Sequence, residues 1–464
     1  MIENISTPLT KKSNQKVLEE IRNETENGLL LQLIRKYQIK YGNGLFSDNI
    51  LLPYSTKTNI IIVNNPDDAE RLANKHIKKV GNLKPFVFDS IISVTNVKYW
   101  SEQRRDFQSA FSIPNKLEKI IPISCERALS CIETLWKISN QGKDFIDINE
   151  FLLNETHAQL QLTMFGFSKN FEKENNKTIR NLFNKPDSKP GKEIIKNLMN
   201  EIKSSNGPIS EIINERRENK NRKEEVGNGL IFSYAGHDTT GNTLTFLIYE
   251  LCRNQNYQTI LQEEVDRFWK LQDEKPIAYN DLKRLPFMTR CIMETLRLWP
   301  ALANGTFREL EEDDYIIGTN GQKVKIQKGT YIQIPNWFRH RNPELWGADV
   351  NEFNPNRDFL DEELWDGTVI NSYNPSTHRF SPFTYIPRDC IGKNFSQIEM
   401  RIILLHILES YNFELTDLQK NQNDEYFTYN KFTMGPRNVN NKSKKENDLG
   451  LYVKVNRRFK YSKL

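Results

Sequence analysis

The sequence predicts a mainly α-helical protein with small β-sheets at its two ends. Three observations carry that expectation. Residues 229–255, GLIFSYAGHDTTGNTLTFLIYELCRNQ, form one long apolar run at helical spacing with a polar centre. Most of residues 117–222 also follows helical spacing, broken at NKPDSKPG. The strand-like pieces are short and lie outside this block, at 59–65, 313–317, 323–326, 331–334 and 449–458.

Taken in order, residues 26–41, centred on LLLQLIRKY, read as an amphipathic helix. NIIIVNN reads as a buried strand closed by turn residues. DDAERLANKHIKK opens with two acids, which suit the positive end of a helix dipole. YWSEQRRDFQSAF, 99–111, has helical spacing. NERRENKNRKEE, 214–225, mixes both signs and reads as a solvated loop or helix face. Residues 281–299 form a helix stopped by Pro300. A last helix is expected from Cys390 to Tyr411, and LGLYVKVNRR alternates as a strand does.

Composition narrows the function. The chain has 464 residues, a length that alone suggests about three domains. Its 26 Phe, 17 Tyr and 7 Trp can fill a large core. A net charge of +5, from 65 basic and 60 acidic side chains, is too small to imply a nucleic-acid partner. The five cysteines are scattered and include no CxxC pair. With a polar N-terminus, this predicts reduced thiols in a cytosol-facing compartment. No stretch of about 18 apolar residues occurs, so no spanning helix is expected. The six histidines show no zinc-ligand spacing.

Three segments could carry chemistry. The polar centre of the long helix reads Ala235, Gly236, His237, Asp238, Thr239, Thr240, Gly241. Two glycines and two threonines suit a helix interior poorly, so a local opening of the backbone ladder is expected. Asp238 beside Thr239 is a candidate proton relay; a packed kink is the plainer alternative. Glu294 and Arg297 lie three apart on one helix face, with Arg357 in FNPNRDF as a candidate third partner. In FTYIPRDCIGKNF, Cys390 could be a nucleophile, a disulfide half, an inert buried thiol or an axial thiolate on haem iron. The last explains its neighbours. Arg388 can neutralise a haem propionate, and Gly392 lets the next helix begin close to the porphyrin. Backbone N–H groups at that helix start favour the anionic sulfur.

From about residue 30 to the C-terminus these segments resemble the cytochrome P450 family of haem-thiolate monooxygenases. The family's cysteine loop, Phe-x-x-Gly-x-Arg-x-Cys-x-Gly, is met by Phe383, Arg388, Cys390 and Gly392. Ile386 stands where the family has its first loop glycine. The long-helix motif is met by Ala235, Gly236, Asp238, Thr239 and Thr240, and the Glu-x-x-Arg pair by Glu294 and Arg297. FNPNRDF resembles the family's meander, so Arg357 completes that triad. Trp100 and Arg104 fit the Trp-x-x-x-Arg helix near a propionate, and Arg308 fits a further propionate arginine.

The resemblance implies the P450 fold, with haem b between the long helix and the cysteine-loop helix. It implies a polar segment at 1–25 and one catalytic domain at 26–464, which replaces the three-domain estimate. Cys390 would ligate the iron, and Asp238 and Thr239 would deliver protons. One atom of O2 would enter an apolar small molecule, with electrons from an NADPH-dependent flavoprotein reductase. Phe86, Val87, Phe88 and Ile92 would line the pocket, and Lys393 and Arg401 are candidates for the reductase-facing surface. The branch resembled is the eukaryotic microsomal one, here without its usual N-terminal anchor. The expected protein is a monomer, cytoplasmic or peripherally held on the cytosolic face of the endoplasmic reticulum through residues 26–36. A non-catalytic haem-binding protein of the same fold, or a reductase-independent peroxide isomerase or dehydratase, is the alternative.

Overall fold

Asn221 starts the long central helix by accepting the backbone N–H groups of Lys223 and Glu224, and Glu224 and Glu225 complement its positive end. The computed structural model describes residues 50–53, 59–111, 116–184, 189–219, 221–318, 320–365, 375–417, 428–430, 433–436 and 450–458. The segment at 1–25 and the helix expected at 26–41 lie outside these residues.

In chain order the main elements are β1 (Ile50–Pro53), β2 (Asn59–Ile62), α1 (Pro66–Lys75), α2 (Val97–Gln108) and α3 (Leu117–Ile138). Then come β3 (Ile146–Asp147), α4 (Ile148–Leu160), α5 (Lys169–Arg180), α6 (Lys189–Ser204), α7 (Pro208–Arg216), α8 (Arg222–Arg253), α9 (Gln255–Gln272) and α10 (Pro286–Leu298). Four short strands follow: β4 (Thr306–Glu309), β5 (Asp314–Ile317), β6 (Lys323–Ile326) and β7 (Tyr331–Ile334). The chain closes with α11 (Lys393–Ser410), β8 (Tyr411–Leu415), β9 (Thr428–Asn430), β10 (Met434–Pro436) and β11 (Tyr452–Arg457). This is the mainly helical architecture with small sheets that the sequence predicts.

One sheet has the order β1-β2-β7-β4, with only β2 and β7 parallel. A second runs β3-β11-β8, and β5-β6 and β9-β10 are two-stranded. In β4 the two-residue period sends Thr306 and Arg308 inward while Phe307 and Glu309 alternate with them. That places a fully buried arginine beside the core.

Helix α8 forms the axis of the core and packs most extensively on α4. The expected opening of its backbone is not there: α8 is continuous from Arg222 to Arg253. Its glycines serve packing instead. A Cβ on Gly241 would stand 2.9 Å from Leu153 Cδ2 and 3.0 Å from Leu153 Cα, so only glycine admits α4 this closely. The threonines satisfy themselves along the helix: Thr239 Oγ1 donates to Ala235 O at 2.9 Å and Thr243 Oγ1 to Thr239 O at 2.8 Å.

The charged run at 214–225 also differs from expectation. Arg216 bridges Asp106 of α2 and Glu224 of α8, and Arg217 holds Glu225 at 2.7 Å. Glu224 is buried and takes the phenol of Tyr99 as well. Glu215, Glu218, Arg222 and Lys223 are exposed as expected, while Arg216, Arg217, Glu224 and Glu225 tie α7 and α2 to the start of α8.

Candidate functional site

The candidate site gathers the cysteine loop, which meets Trp100 and Arg104 of α2 and lies in the field of Arg308 of β4, and the polar centre of α8. The loop is closed from within. Cys390 N–H donates to Phe383 O at 2.9 Å, and Thr384 Oγ1 donates to Arg388 O at 3.1 Å. Thr384 is the residue with positive φ, at 63°, and the Ile386–Pro387 peptide is cis. Ile386 therefore needs no left-handed backbone, and its side chain is exposed.

Cys390 is the exposed member of the five free cysteines. Desolvation by the surrounding chain raises its thiol pKa, while the Gly392 N–H, at the start of α11, donates to the sulfur and opposes that rise. A Cβ on Gly392 would sit 3.6 Å from Phe111 Cε1 and 4.0 Å from the sulfur, an ordinary contact.

Beside the loop lies a group of cations with almost no counter-charge. Arg388 stacks on Trp100, its Cζ 4.0 Å from the ring centroid. Its nitrogens donate only to backbone carbonyls, those of Ile77 at 3.1 Å, Ile91 at 3.5 Å and Val94 at 3.2 Å. Arg308 is fully buried; one nitrogen donates to Thr306 Oγ1 and to Phe307 O, while Nε and Nη2 have no partner. Desolvation brings both guanidinium pKa values down to about 9, and at Arg388 the charge of Arg308 adds to it. A guanidinium stays charged, so this depression measures unbalanced buried charge. Arg104 reaches the same loop, donating to Asp389 O at 2.7 Å and Asp389 Oδ1 at 2.8 Å.

On α8, Asp238 and Thr239 are neighbours that do not bond one another. Thr239 turns back to Ala235 O, whereas Asp238 accepts hydrogen bonds from Thr433 and Tyr234. Desolvation raises the Asp238 pKa and these donors hold it down. His237 faces α4: its Nδ1 donates to Ser233 O at 2.7 Å, and its ring lies 4.5 Å from that of His157. Burial keeps both imidazoles neutral, His157 with a pKa of about 3.

Glu294, Arg297 and Arg357 form one ion-paired group. Arg297 grips Glu294 with two contacts of 2.7 and 2.8 Å, and Arg357 Nε reaches Glu294 Oε1 at 3.2 Å. Arg297 also donates to His340 O at 2.8 Å and Val350 O at 2.7 Å.

A family model described as Cytochrome P450 matches residues 22–188 and 192–441. The chain belongs to the cytochrome P450 family. Similar proteins include cytochrome P450 3A18 of Rattus norvegicus, 34% identical over 191 residues, 41% of this chain and 35% of the relative. Cytochrome P450 3A27 of Oncorhynchus mykiss is 32% identical over 216 residues, 47% of this chain and 38% of the relative. A Caenorhabditis elegans P450 named CYP13A6 is 33% identical over 218 residues, again 47% and 38%. The chain thus spans little more than a third of the length of the curated relatives it matches.

Haem b is the cofactor of the P450 family, and the residues here fit it. An accessible soft sulfur stands beside buried guanidiniums, two nitrogens of which lack any partner, and a dianionic propionate edge is what that arrangement lacks. Two surface assignments for this P450 need correction. Arg401 is fully buried, donating to Gln397 O, Gln397 Oε1 and Thr289 Oγ1 at 2.9, 2.7 and 2.6 Å, so it faces no partner. Lys393 is mostly covered and paired with Asp389 at 3.0 Å. Among the pocket candidates, Phe86 is 54% exposed whereas Val87 is buried, and Phe88 and Ile92 are partly buried against the core. Thr433 carries no local pattern, and only the fold brings it to Asp238. No helix among the described residues of this P450 is long and apolar enough to cross a membrane.

Proposed function

We propose that this P450 is a haem-thiolate monooxygenase that inserts one atom of O2 into an apolar small molecule. The observation that carries the reading is the accessible Cys390 sulfur set beside the uncompensated Arg308 and Arg388. Haem, when bound, supplies the one-electron and O2 chemistry. The chain supplies the rest. Cys390 holds the iron, with the Gly392 N–H favouring its anionic form. Arg308, Arg388 and Arg104, with Trp100, would orient the propionate edge, and the Phe383 carbonyl closes the loop by accepting the Cys390 N–H. Glu294, Arg297 and Arg357 lock the scaffold on which the loop rests. Asp238 and Thr239 would hold and pass protons from α8, where the raised Asp238 pKa suits a group that must take up a proton as well as give one. Electrons come from an NADPH-dependent flavoprotein reductase, and the protein works as a monomer on the cytosolic face of the endoplasmic reticulum.

The test is isotopic. Purified protein, an NADPH-dependent flavoprotein reductase and 18O2 are incubated with a fatty acid, a steroid and an alkoxycoumarin as probes. The reading expects NADPH-dependent entry of one labelled atom into a probe. Turnover of a lipid peroxide with no reductase, and no label from O2 under any condition, would favour the isomerase alternative instead.

Two substitutions examine the proton path. Thr239→Ala should lower product per NADPH by about tenfold or more while hydrogen peroxide rises. An unchanged ratio would remove Thr239 from the relay. Thr433→Val deletes a donor to Asp238 and should raise the Asp238 pKa further, because that hydrogen bond stabilises the charged form. Product per NADPH should fall with the CO-bound spectrum unaltered. A normal ratio across pH would show that Asp238 needs no such support.

A further inference from the structure

The segment just ahead of Cys390 is held by one buried cation. Arg339 ends the short helical turn Asn336–Arg339, and its side chain is completely shielded from solvent. Both of its terminal nitrogens make two contacts. Nη1 donates to Tyr385 Oη at 2.5 Å and to His378 O at 3.3 Å. Nη2 donates to Ser381 Oγ at 2.7 Å and to Asn336 Oδ1 at 3.1 Å. All of these acceptors except Asn336 lie in residues 378–385, which lead into the cysteine loop. A rigid planar fork can grip acceptors on two sides at once; a lysine ammonium is a point charge without that geometry.

The partners pass this hold along. Tyr385 is itself fully buried; its hydroxyl accepts from Arg339 and donates to Thr377 O at 3.3 Å. Ser381 Oγ donates to Asn336 Oδ1 at 3.0 Å, and the Ser381 N–H donates to His340 Nε2 at 3.0 Å. Tyr385 directly follows Thr384, the positive-φ residue whose hydroxyl donates to Arg388 O, and lies two residues after Phe383, whose carbonyl takes the Cys390 N–H. The backbone of Arg339 and His340 is held from elsewhere: Trp346 Nε1 donates to Arg339 O at 3.1 Å and Arg297 to His340 O at 2.8 Å. Two consecutive residues thus join the Glu294 group, through their carbonyls, to the cysteine loop, through their side chains.

No carboxylate lies within ion-pair distance of Arg339 among the described residues. Desolvation lowers its pKa, although the charges of Tyr385 and Glu70 act the other way, and its Nε has no partner. A buried cation of this kind adds little net stability, and an apolar side chain of the same size would fill the space with less loss of hydration. What a guanidinium adds is a single fixed arrangement of the loop residues it grips.

We propose that Arg339, acting through Tyr385 and Ser381, is a positioning residue for the axial thiolate: it fixes the cysteine loop so that the Cys390 sulfur stays on the iron. The inference rests on the haem reading of Cys390, and it adds residues outside the motifs that carry that reading. Arg339 makes none of its hydrogen bonds to Cys390, so its role is geometric.

The experiment uses haem-loaded wild type, Arg339→Met, Arg339→Lys, Tyr385→Phe and the Arg339→Met/Tyr385→Phe double variant. Each is reduced under CO, and the rate at which the red-shifted thiolate-type band converts to the imidazole-type band is followed below the melting midpoint. Tyr385→Phe keeps the ring and removes one hydrogen bond, so conversion should be about fivefold faster than in wild type. Arg339→Met removes the whole charged fork and should speed it by about tenfold to a hundredfold. Arg339→Lys should stay nearer to Arg339→Met than to wild type. The double variant should convert more slowly than the product of the two single effects, because Tyr385 and Arg339 act as one unit. Wild-type conversion in a folded Arg339→Met would overturn the proposal; should that variant not fold, wild-type conversion in Tyr385→Phe would do so. Equal rates for all proteins, each measured the same interval below its own melting midpoint, would mean a packing role and would also overturn it. A wild type that binds haem yet shows no thiolate-type band would fail the haem-thiolate reading itself, a result distinct from a wild type with the band and variants that keep it equally well.

Discussion

Arg297→Met is expected to yield little folded protein. Arg297 and Glu294 are both completely shielded from solvent. Removing one partner of such a pair costs about 3–5 kcal/mol, and Glu294 would keep only the Arg357 Nε contact at 3.2 Å and the Asn354 N–H at 3.0 Å, both on Oε1, leaving Oε2 without its donor. Three carbonyl acceptors, those of His340, Val350 and Glu352, lose their donor at the same time. Typical domain stability is only about 5–15 kcal/mol, so the loss is a large part of the total. Arg357 cannot replace the lost contacts, since its second nitrogen is committed to Trp346 O at 2.7 Å and to Asp349 at 2.9 Å. Soluble yield and the urea midpoint are the measurements. A Glu294→Leu/Arg297→Leu double variant should be less damaged than the sum of its single changes, because it leaves no lone charge. A wild-type midpoint for Arg297→Met would show that the group is not holding the scaffold.

This triad also shows what the sequence made legible. Glu294 and Arg297 are three apart on one helix, and local spacing is enough to pair them. Cys390 could be singled out because its loop neighbours are sequential. Where partners come from remote elements, the pattern failed. Gly236 and Gly241 of α8 suggested an opened helix, yet their cause is Leu160 and Leu153 of α4, which no local reading supplies. The charges at 214–225 suggested solvent, yet Asp106 lies over a hundred residues earlier in the chain and claims Arg216. Arg401 looked like a surface cation because Thr289 and Trp365, which bury it, are distant in sequence. Thr433 is the sharpest case: an ordinary residue in an unremarkable stretch, it reaches Asp238 through a fold-level contact with α8.

The same contrast sets up the most direct test of the site. Cys390→Ser should abolish the red-shifted Soret band of the reduced, CO-bound protein. Any activity should fall by more than about a hundredfold, beyond the ten- to hundredfold expected for losing an outer partner alone. A hydroxyl at this position is a poor ligand and cannot donate electron density as a thiolate does. The other cysteines offer no substitute. Cys131, Cys252 and Cys291 are buried, and burial lifts the Cys125 thiol to about 11 and those of Cys131 and Cys291 well up. The fold should survive, since Cys390 is exposed and makes no ion pair, so melting near the wild-type temperature is expected when both are measured without haem. Residual haem held by Arg308 and Arg388 would then give an imidazole-type or five-coordinate spectrum. Retention of the red-shifted band in Cys390→Ser would require a different sulfur ligand. Absence of that band in wild type, with haem bound, would mean that the sulfur, though accessible and polarised by the Gly392 N–H, does not reach the iron.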